Sequence, residues 1–313
     1  MKGLELSKKY FETCGIQVLQ SQFSAVLPYL AIGLVGSGSE CYGYDDTTSH
    51  DHDFEPAFCI FLPTEDIVDR KTEFELERAY AKLPKCFMGF ERSALDPVGG
   101  SRHGVMRMDE FFLSKTGTTD GKLSIKQWFT VPEYALLEAT NGEVFADPYG
   151  RFTAIRERLH YFPEDVRRKK LAGRLLVMAQ SGQYNYNRCI ARGETAAAQM
   201  AVFEFTQSAL HSIYLLNRTY MPYYKWSFRG LKNLATLGSL ADDLEYLISS
   251  GNTTEEFKQK SKIIERICLD ISNELSVQRL TNLQNSELEQ HAYALNNTIT
   301  DNNIRNLHIL YGV

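Results

Sequence analysis

The sequence predicts an α+β protein: a mixed α/β domain over residues 1–155, then an all-α helical bundle domain over residues 156–313. Three observations carry this. Short apolar runs such as "LAIGLVG" and "DFEPAFCIFL" alternate with helically spaced segments in the first half. From "FPEDVRRKKLAGRLLVMAQSGQ" onward the spacing is helical, with long segments over 164–181, 194–218, 226–250 and 254–278. Between the halves, "DPYGRFTAIRERLHYFP" carries the turn residues of a boundary. A chain of 313 residues is long enough for two cores.

The elements follow in order. "ELSKKYFETCGIQVLQSQF" reads as a helix, and "LAIGLVG" as a buried strand ended by glycines. "DFEPAFCIFL" is a second strand, with Pro56 at an irregularity. "TEDIVDRKTEFELERAYAKL" is a helix with Thr64 as its N-cap and acids in its first turn. "GVMRMDEFF" reads as a third strand, and "NGEVFADPYG" as a short strand between turns. The last segment, from "NSELEQHAYALNN", is polar and partly helical.

Bulk properties narrow the function. A net charge of −5 argues against a general nucleic-acid binder. Six cysteines without a CxxC pair suggest neither a zinc finger nor a redox motif, and fit free thiols in a reducing cytoplasm. The first residues lack the apolar core of a signal peptide. No apolar run is long enough for a membrane span.

One stretch is chemically dense. "GLVGSGSECYGYDDTTSHDHDFEP" places Asp45, Asp46, His50, Asp51, His52, Asp53 and Glu55 together. An HD-type phosphohydrolase needs its His-Asp doublet on helices, whereas these doublets adjoin a strand. A phosphoaspartyl phosphatase needs its Asp-x-Asp after an apolar strand, whereas here the apolar run comes later. A third pattern fits in order and spacing: strand "LAIGLV", turn Gly38-Ser39, then Asp51-His52-Asp53 opening the next strand. Gly36-Ser37 is the second choice for the turn. On a strand, Asp51 and Asp53 point the same way. Two such carboxylates suit Mg²⁺ (or Mn²⁺), a hard cation that wants oxygen ligands. The glycines let backbone approach phosphates closely, and backbone N–H groups supply partial positive charge. The competing interpretation is a solvated acidic loop.

This order resembles the polymerase-beta-type nucleotidyltransferase superfamily. Together with "WFTVPEYALLEATNGEVFADPYG" and "MAQSGQYNYNRC…YYKW", it looks like a bacterial family of nucleotidyltransferase-like proteins, related in layout to the aminoglycoside and lincosamide nucleotidyltransferases. The resemblance covers about residues 20–235. It implies an N-terminal catalytic domain and a helical substrate-binding domain. It also implies Mg²⁺-dependent transfer of a nucleoside monophosphate, AMP first in choice, from ATP or another nucleoside triphosphate to the hydroxyl of a small-molecule acceptor. Asp51 and Asp53 would hold the metal, and Gly38 and Ser39 the phosphates. His52 departs from the aliphatic residue usual at that place, and Asp45 and Asp46 add charge that a metal or cation must offset.

Such enzymes usually carry a third carboxylate on a neighbouring strand. Asp109 is the first candidate for that metal ligand, Glu110 the second, and Glu91 a further one; each also reads as a solvated acid. In the helical half, Tyr184 and Arg188 in "GQYNYNRC" present a polar surface for a ligand. Lys225, Arg229 and Lys232 share a helix face that could meet a triphosphate, or simply water. Glu204 interrupts an apolar helix, where burial of an unpaired carboxylate would be costly. Resemblance to the antibiotic-modifying enzymes makes it a candidate general base. Two alternatives stay open: a nucleotide-binding or regulatory protein with a degenerate transferase site, and nucleotidylation of a protein or RNA acceptor.

Overall fold

The computed structural model describes residues 1–46, 54–92 and 102–313. The chain divides into two compact units. One comprises Met1–Gln127 and Tyr134–His160, the other Trp128–Glu133 and Tyr161–Val313.

The first unit is built on a four-stranded sheet. Its strands are β1 (Ala31–Leu34), β2 (Cys59–Leu62), β5 (Gly104–Arg107) and β6 (Glu143–Ala146); β3 (Cys86–Phe87) and β4 (Phe90–Glu91) form a separate hairpin. The order is β5-β2-β1-β6, with β2 antiparallel to β1 and parallel to β5. All residues of β1 and β2 are buried, as expected of central strands covered on both faces. One face is packed by α1 (Gly3–Tyr10), α2 (Ile16–Gln22) and α4 (Arg70–Ala81). Tyr10, Phe11, Leu19 and Leu76 meet Ile32, Phe58, Ile60 and Leu62 there. A π-helical turn, Phe11–Gly15, joins α1 to α2. The other face carries an aromatic cluster in which Phe61 of β2 stacks on Phe152 at 4.2 Å, with Phe111 and Phe112 alongside.

Remaining elements of this unit include the single turn α3 (Ser39–Tyr42), α5 (Met108–Thr116) and α8 (Arg151–Leu159). Two short helices, α6 (Ile125–Thr130) and α7 (Glu133–Thr140), carry the chain across the division between units.

Two expected elements differ. The helix expected from Thr64 begins at Arg70, because the Asp69 carboxylate accepts the Thr72 N–H and caps it there. Thr64 instead closes a turn, its carbonyl accepting from Ile67 and Val68. The strand expected over "GVMRMDEFF" ends at Arg107, and α5 starts at Met108. Arg107 is anchored at that point. Its guanidinium donates to the carbonyls of Pro63 and Val68 and to Glu73.

The second unit is helical: α9 (Glu164–Met178), α10 (Asn187–Ala191), α11 (Thr195–Leu216), α12 (Tyr224–Leu231), α13 (Ala241–Ser249), α14 (Thr254–Val277), α15 (Leu288–Asn297) and α16 (Asn302–Arg305). A π-helical stretch, Ala179–Tyr186, links α9 to α10. The segment expected as one helix over 226–250 is broken, with a 3₁₀ turn at Gly238–Leu240. Thr253 and Glu256 form a reciprocal capping box that starts α14. Leu171, Leu175, Phe205, Ile213, Ile267 and Leu295 are among its fully buried side chains. Among the described residues, no helix is long and apolar enough to cross a membrane.

Candidate functional site

The turn from Gly36 to Ser39 follows directly on buried β1. Its first residue is held from both sides by one side chain. The Gly36 N–H donates to Asn141 Oδ1 at 2.9 Å, and Asn141 Nδ2 donates to the Gly36 carbonyl at 2.7 Å. Gly36 has φ +123°, a conformation that favours glycine. Beside it, the Gly142 N–H donates to the Cys41 carbonyl at 3.0 Å. Gly142 lies at φ +63°, and a Cβ there would collide with the Leu34 carbonyl. Arg156 Nη2 in turn donates to the carbonyls of Thr140 and Asn141, both at 2.7 Å. Burial pulls the Arg156 guanidinium down to about 10. The turn is thus fixed by "TNGE" at the end of α7, and α7's last carbonyls are fixed by α8.

Gly38 is the N-cap of α3 and Ser39 its first residue. With four residues, α3 has little macrodipole, so the helix N-terminus expected to favour phosphate adds little. The Glu40 side chain folds back over Gly38, where an added Cβ would meet its carboxylate. Glu40 is buried and lies 3.8 Å from His103 Nε2, while His103 Nδ1 is 3.1 Å from Glu55 Oε1. Burial works against ionisation of Glu40, but the His103 ring and Glu40's own amide outweigh it and hold the carboxyl below its usual range. Burial likewise opposes charge on His103, and the two carboxylates outweigh it, raising its titration above the ordinary histidine value. The His103 imidazole therefore sits between two carboxylates at the edge of the turn.

Asp45 is structural. Its Oδ2 accepts the Gly3 N–H at 2.8 Å, and Lys2 Nζ lies 3.4 Å from Oδ1, supplying the offsetting cation that the sequence required. Tyr42 donates to Glu138, which also pairs with Lys115 at 2.6 Å.

The expected residues fare differently. Asp51 and Asp53 lie outside the described residues. Asp109 stands in the first turn of α5 rather than on a strand, and pairs with Arg151 at 2.7 Å. Glu110 shares that turn and is exposed, and Glu91 is exposed in the β3–β4 hairpin. The strand argument for a third carboxylate therefore fails for Asp109 and Glu110, while Glu91 ends the short strand β4 outside the four-stranded sheet. Among the described residues, no group of three or more His, Cys, Asp or Glu is placed to hold a metal ion.

In the helical unit, Arg188 stacks over the Tyr184 ring at 4.5 Å, with Tyr184 56% exposed. Lys225 and Arg229 both lie over Trp226, each 5.2 Å from the ring. Lys232 points elsewhere, to Glu245 and Asp242. Gln183 is structural: it donates to the Ser286 carbonyl and accepts the Leu288 N–H. Glu204 is exposed on α11, so the burial cost that singled it out does not arise. Ser208 and His211 on the same helix are buried without it.

A buried pair in this unit leaves no local sign in the sequence. Glu133 Oε1 meets His211 Nδ1 at 3.1 Å, and Glu133 Oε2 accepts the Met221 N–H at 3.1 Å. Burial alone would raise the Glu133 pKa; His211, with Lys170 and the Met221 amide, lowers it to about 2.

Comparison with known proteins gives three results. A family model described as "Domain of unknown function (DUF4037)" matches residues 128–227. No curated protein matches the chain. Among solved structures, the chain is similar to a nucleotidyltransferase-like protein from Exiguobacterium sibiricum 255-15. The two share 12% identity at a TM-score of 0.35, over 90% of this chain and 88% of that one.

Proposed function

We propose that the first unit is a nucleotidyltransferase that moves a nucleoside monophosphate, AMP first in choice, from a nucleoside triphosphate to the hydroxyl of a small acceptor. The acceptor hydroxyl gives up its proton to solvent as its oxygen bonds to the α-phosphorus, the bond from that phosphorus to the α–β bridging oxygen breaks, and pyrophosphate leaves. The observation that carries this reading is the Gly36–Ser39 turn: it leaves a buried strand, is clamped by Asn141, and opens a helical turn before antiparallel β2. A turn held in one shape is what a triphosphate needs, because catalysis of phosphoryl-group transfer is mostly positioning and charge neutralisation. Asp51 and Asp53 would hold Mg²⁺, which supplies that neutralisation when bound. Tyr184, Arg188, Lys225 and Arg229 are the helical unit's candidates for nucleotide or acceptor contact. Six free cysteines fit action in the cytoplasm.

A second reading has its own support. Asp109 is engaged by Arg151, and the Glu40 carboxylate covers Gly38. The engaged Asp109 favours a protein that binds nucleotide without transferring it, and the Glu40 carboxylate must swing aside for a phosphate to reach Gly38.

Pyrophosphate release separates the two. The protein is incubated with each nucleoside triphosphate, Mg²⁺ and a small-molecule extract as acceptor source. Transfer predicts release that the Asp51→Asn/Asp53→Asn variant lacks. Binding without release supports the second reading.

A further inference from the structure

The helical unit buries three lysines, and two of them show how this protein satisfies such a group. Lys169, fully buried, donates to Asn296 Oδ1 at 2.8 Å and to the carbonyls of Arg305 and Leu307 at 3.1 and 2.6 Å. Lys260, also fully buried, donates to Gln199 Oε1, the Ser250 carbonyl and Asn252 Oδ1 at 3.1, 3.0 and 3.4 Å. An ammonium has three donors, and in both cases all three find oxygen.

Lys170 is different. It is 5% exposed, yet its one oxygen partner among the described residues is the Gly312 carbonyl at 3.2 Å, with the Phe162 ring 5.2 Å away. One helical turn further on, Arg174 is partly buried and has no hydrogen bond or ion pair with any described residue. Positions four apart on a helix are neighbours on one face. The carboxylate that both cations feel is Glu133. That carboxylate is already committed to His211 and the Met221 amide. An ammonium buried with one acceptor for its three donors is poorly satisfied, and natural structures rarely leave such a group so.

We propose that Lys170 and Arg174 form an oxyanion site that takes a phosphoryl group. A phosphate dianion balances two cations where a carboxylate balances one. Its several oxygens also match the planar guanidinium and the two open ammonium donors. The site belongs to the helical unit alone and does not rest on the transfer reaction proposed for the other.

The test is titration of inorganic phosphate into the full chain in a phosphate-free buffer, followed by calorimetry. The expected result is one-to-one binding that Arg174→Gln and Lys170→Met each weaken at least ten-fold. Lys262→Gln, an exposed position on α14, leaves it intact. A readout in the unaltered protein guards against variants that misfold: the Arg174 Nε–H resonance shifts as phosphate is added. Unchanged affinity in Arg174→Gln, or an Arg174 resonance that added phosphate does not move, overturns the proposal. Acetate binding as tightly as phosphate overturns the phosphoryl assignment.

Discussion

One side-chain amide, Asn141, satisfies both backbone groups of Gly36, accepting its N–H at 2.9 Å and donating to its carbonyl at 2.7 Å. The two residues are 105 positions apart, so the turn's shape depends on the chain's return through α7. Asn141→Ala should cost about 1–3 kcal/mol, since it takes the side-chain partner from both backbone groups of buried Gly36. It should also weaken nucleoside triphosphate binding at least ten-fold. Urea unfolding and calorimetry read the two effects separately. Stability lost with affinity kept would mean that the turn does not serve the nucleotide.

Tyr80 plays a similar part at β2. Its hydroxyl accepts the Phe58 N–H at 3.0 Å and donates to the Phe58 carbonyl at 2.8 Å. Tyr80→Phe keeps the ring against Phe58 but leaves the buried Phe58 N–H bare, while the Phe58 carbonyl keeps the Gly104 N–H. The expected loss is about 1–3 kcal/mol in urea, with an unchanged m-value. A loss under about 0.5 kcal/mol would show that other groups or water take over.

Glu133 sets a pH dependence. Its folded pKa, about 2, lies below the ordinary 4.5. A carboxyl depressed on folding stabilises above its unfolded pKa, and that contribution is lost as pH falls through the folded value. Glu133→Gln should therefore be less stable than the parent at pH 6, with the gap closing between pH 4.5 and 2. Melting curves across that window check it. A gap that stays constant with pH would contradict the assignment.

The buried lysines should rank by their partners. Lys169→Met takes the ammonium donor from three oxygens, of which the Arg305 carbonyl keeps Asn296 Nδ2, and should cost about 3 kcal/mol. Without added anion, Lys170→Met strands one and should cost less. Equal losses in phosphate-free urea titrations would contradict the bookkeeping that separates them.

What the sequence revealed depended on the range of the interactions. The strands at Ala31–Leu34 and Cys59–Leu62 stand out because central strands are continuously apolar, and α14 because its periodicity runs over many turns. The end of β5 was hidden. "MRMDEFF" keeps a strand-like alternation through Asp109, and Arg107, a poor N-cap type, occupies the cap of α5 without a side-chain bond. Asp69 outcompeted Thr64 as a helix start because Asp69 alone reaches the N–H three residues on. The Gly-Ser turn was visible locally, whereas its clamp at Asn141 was not. Glu133 reads as an ordinary first-turn acid; its partner His211 lies 78 positions away. Glu204 misled in the opposite sense, because an apolar neighbourhood in sequence is not burial in space: Phe203 beside it is also exposed.

The central claim is that the Gly36–Ser39 turn and the acidic pair after it hold a nucleotide with its metal. Calorimetric titration of ATP, GTP, CTP and UTP into the full chain, with and without Mg²⁺, tests it most directly when repeated on Asp51→Asn/Asp53→Asn. The account predicts Mg²⁺-dependent binding of one nucleotide, ATP first, lost in the double variant. Binding of no nucleotide, or binding that persists unchanged in the double variant, would contradict it.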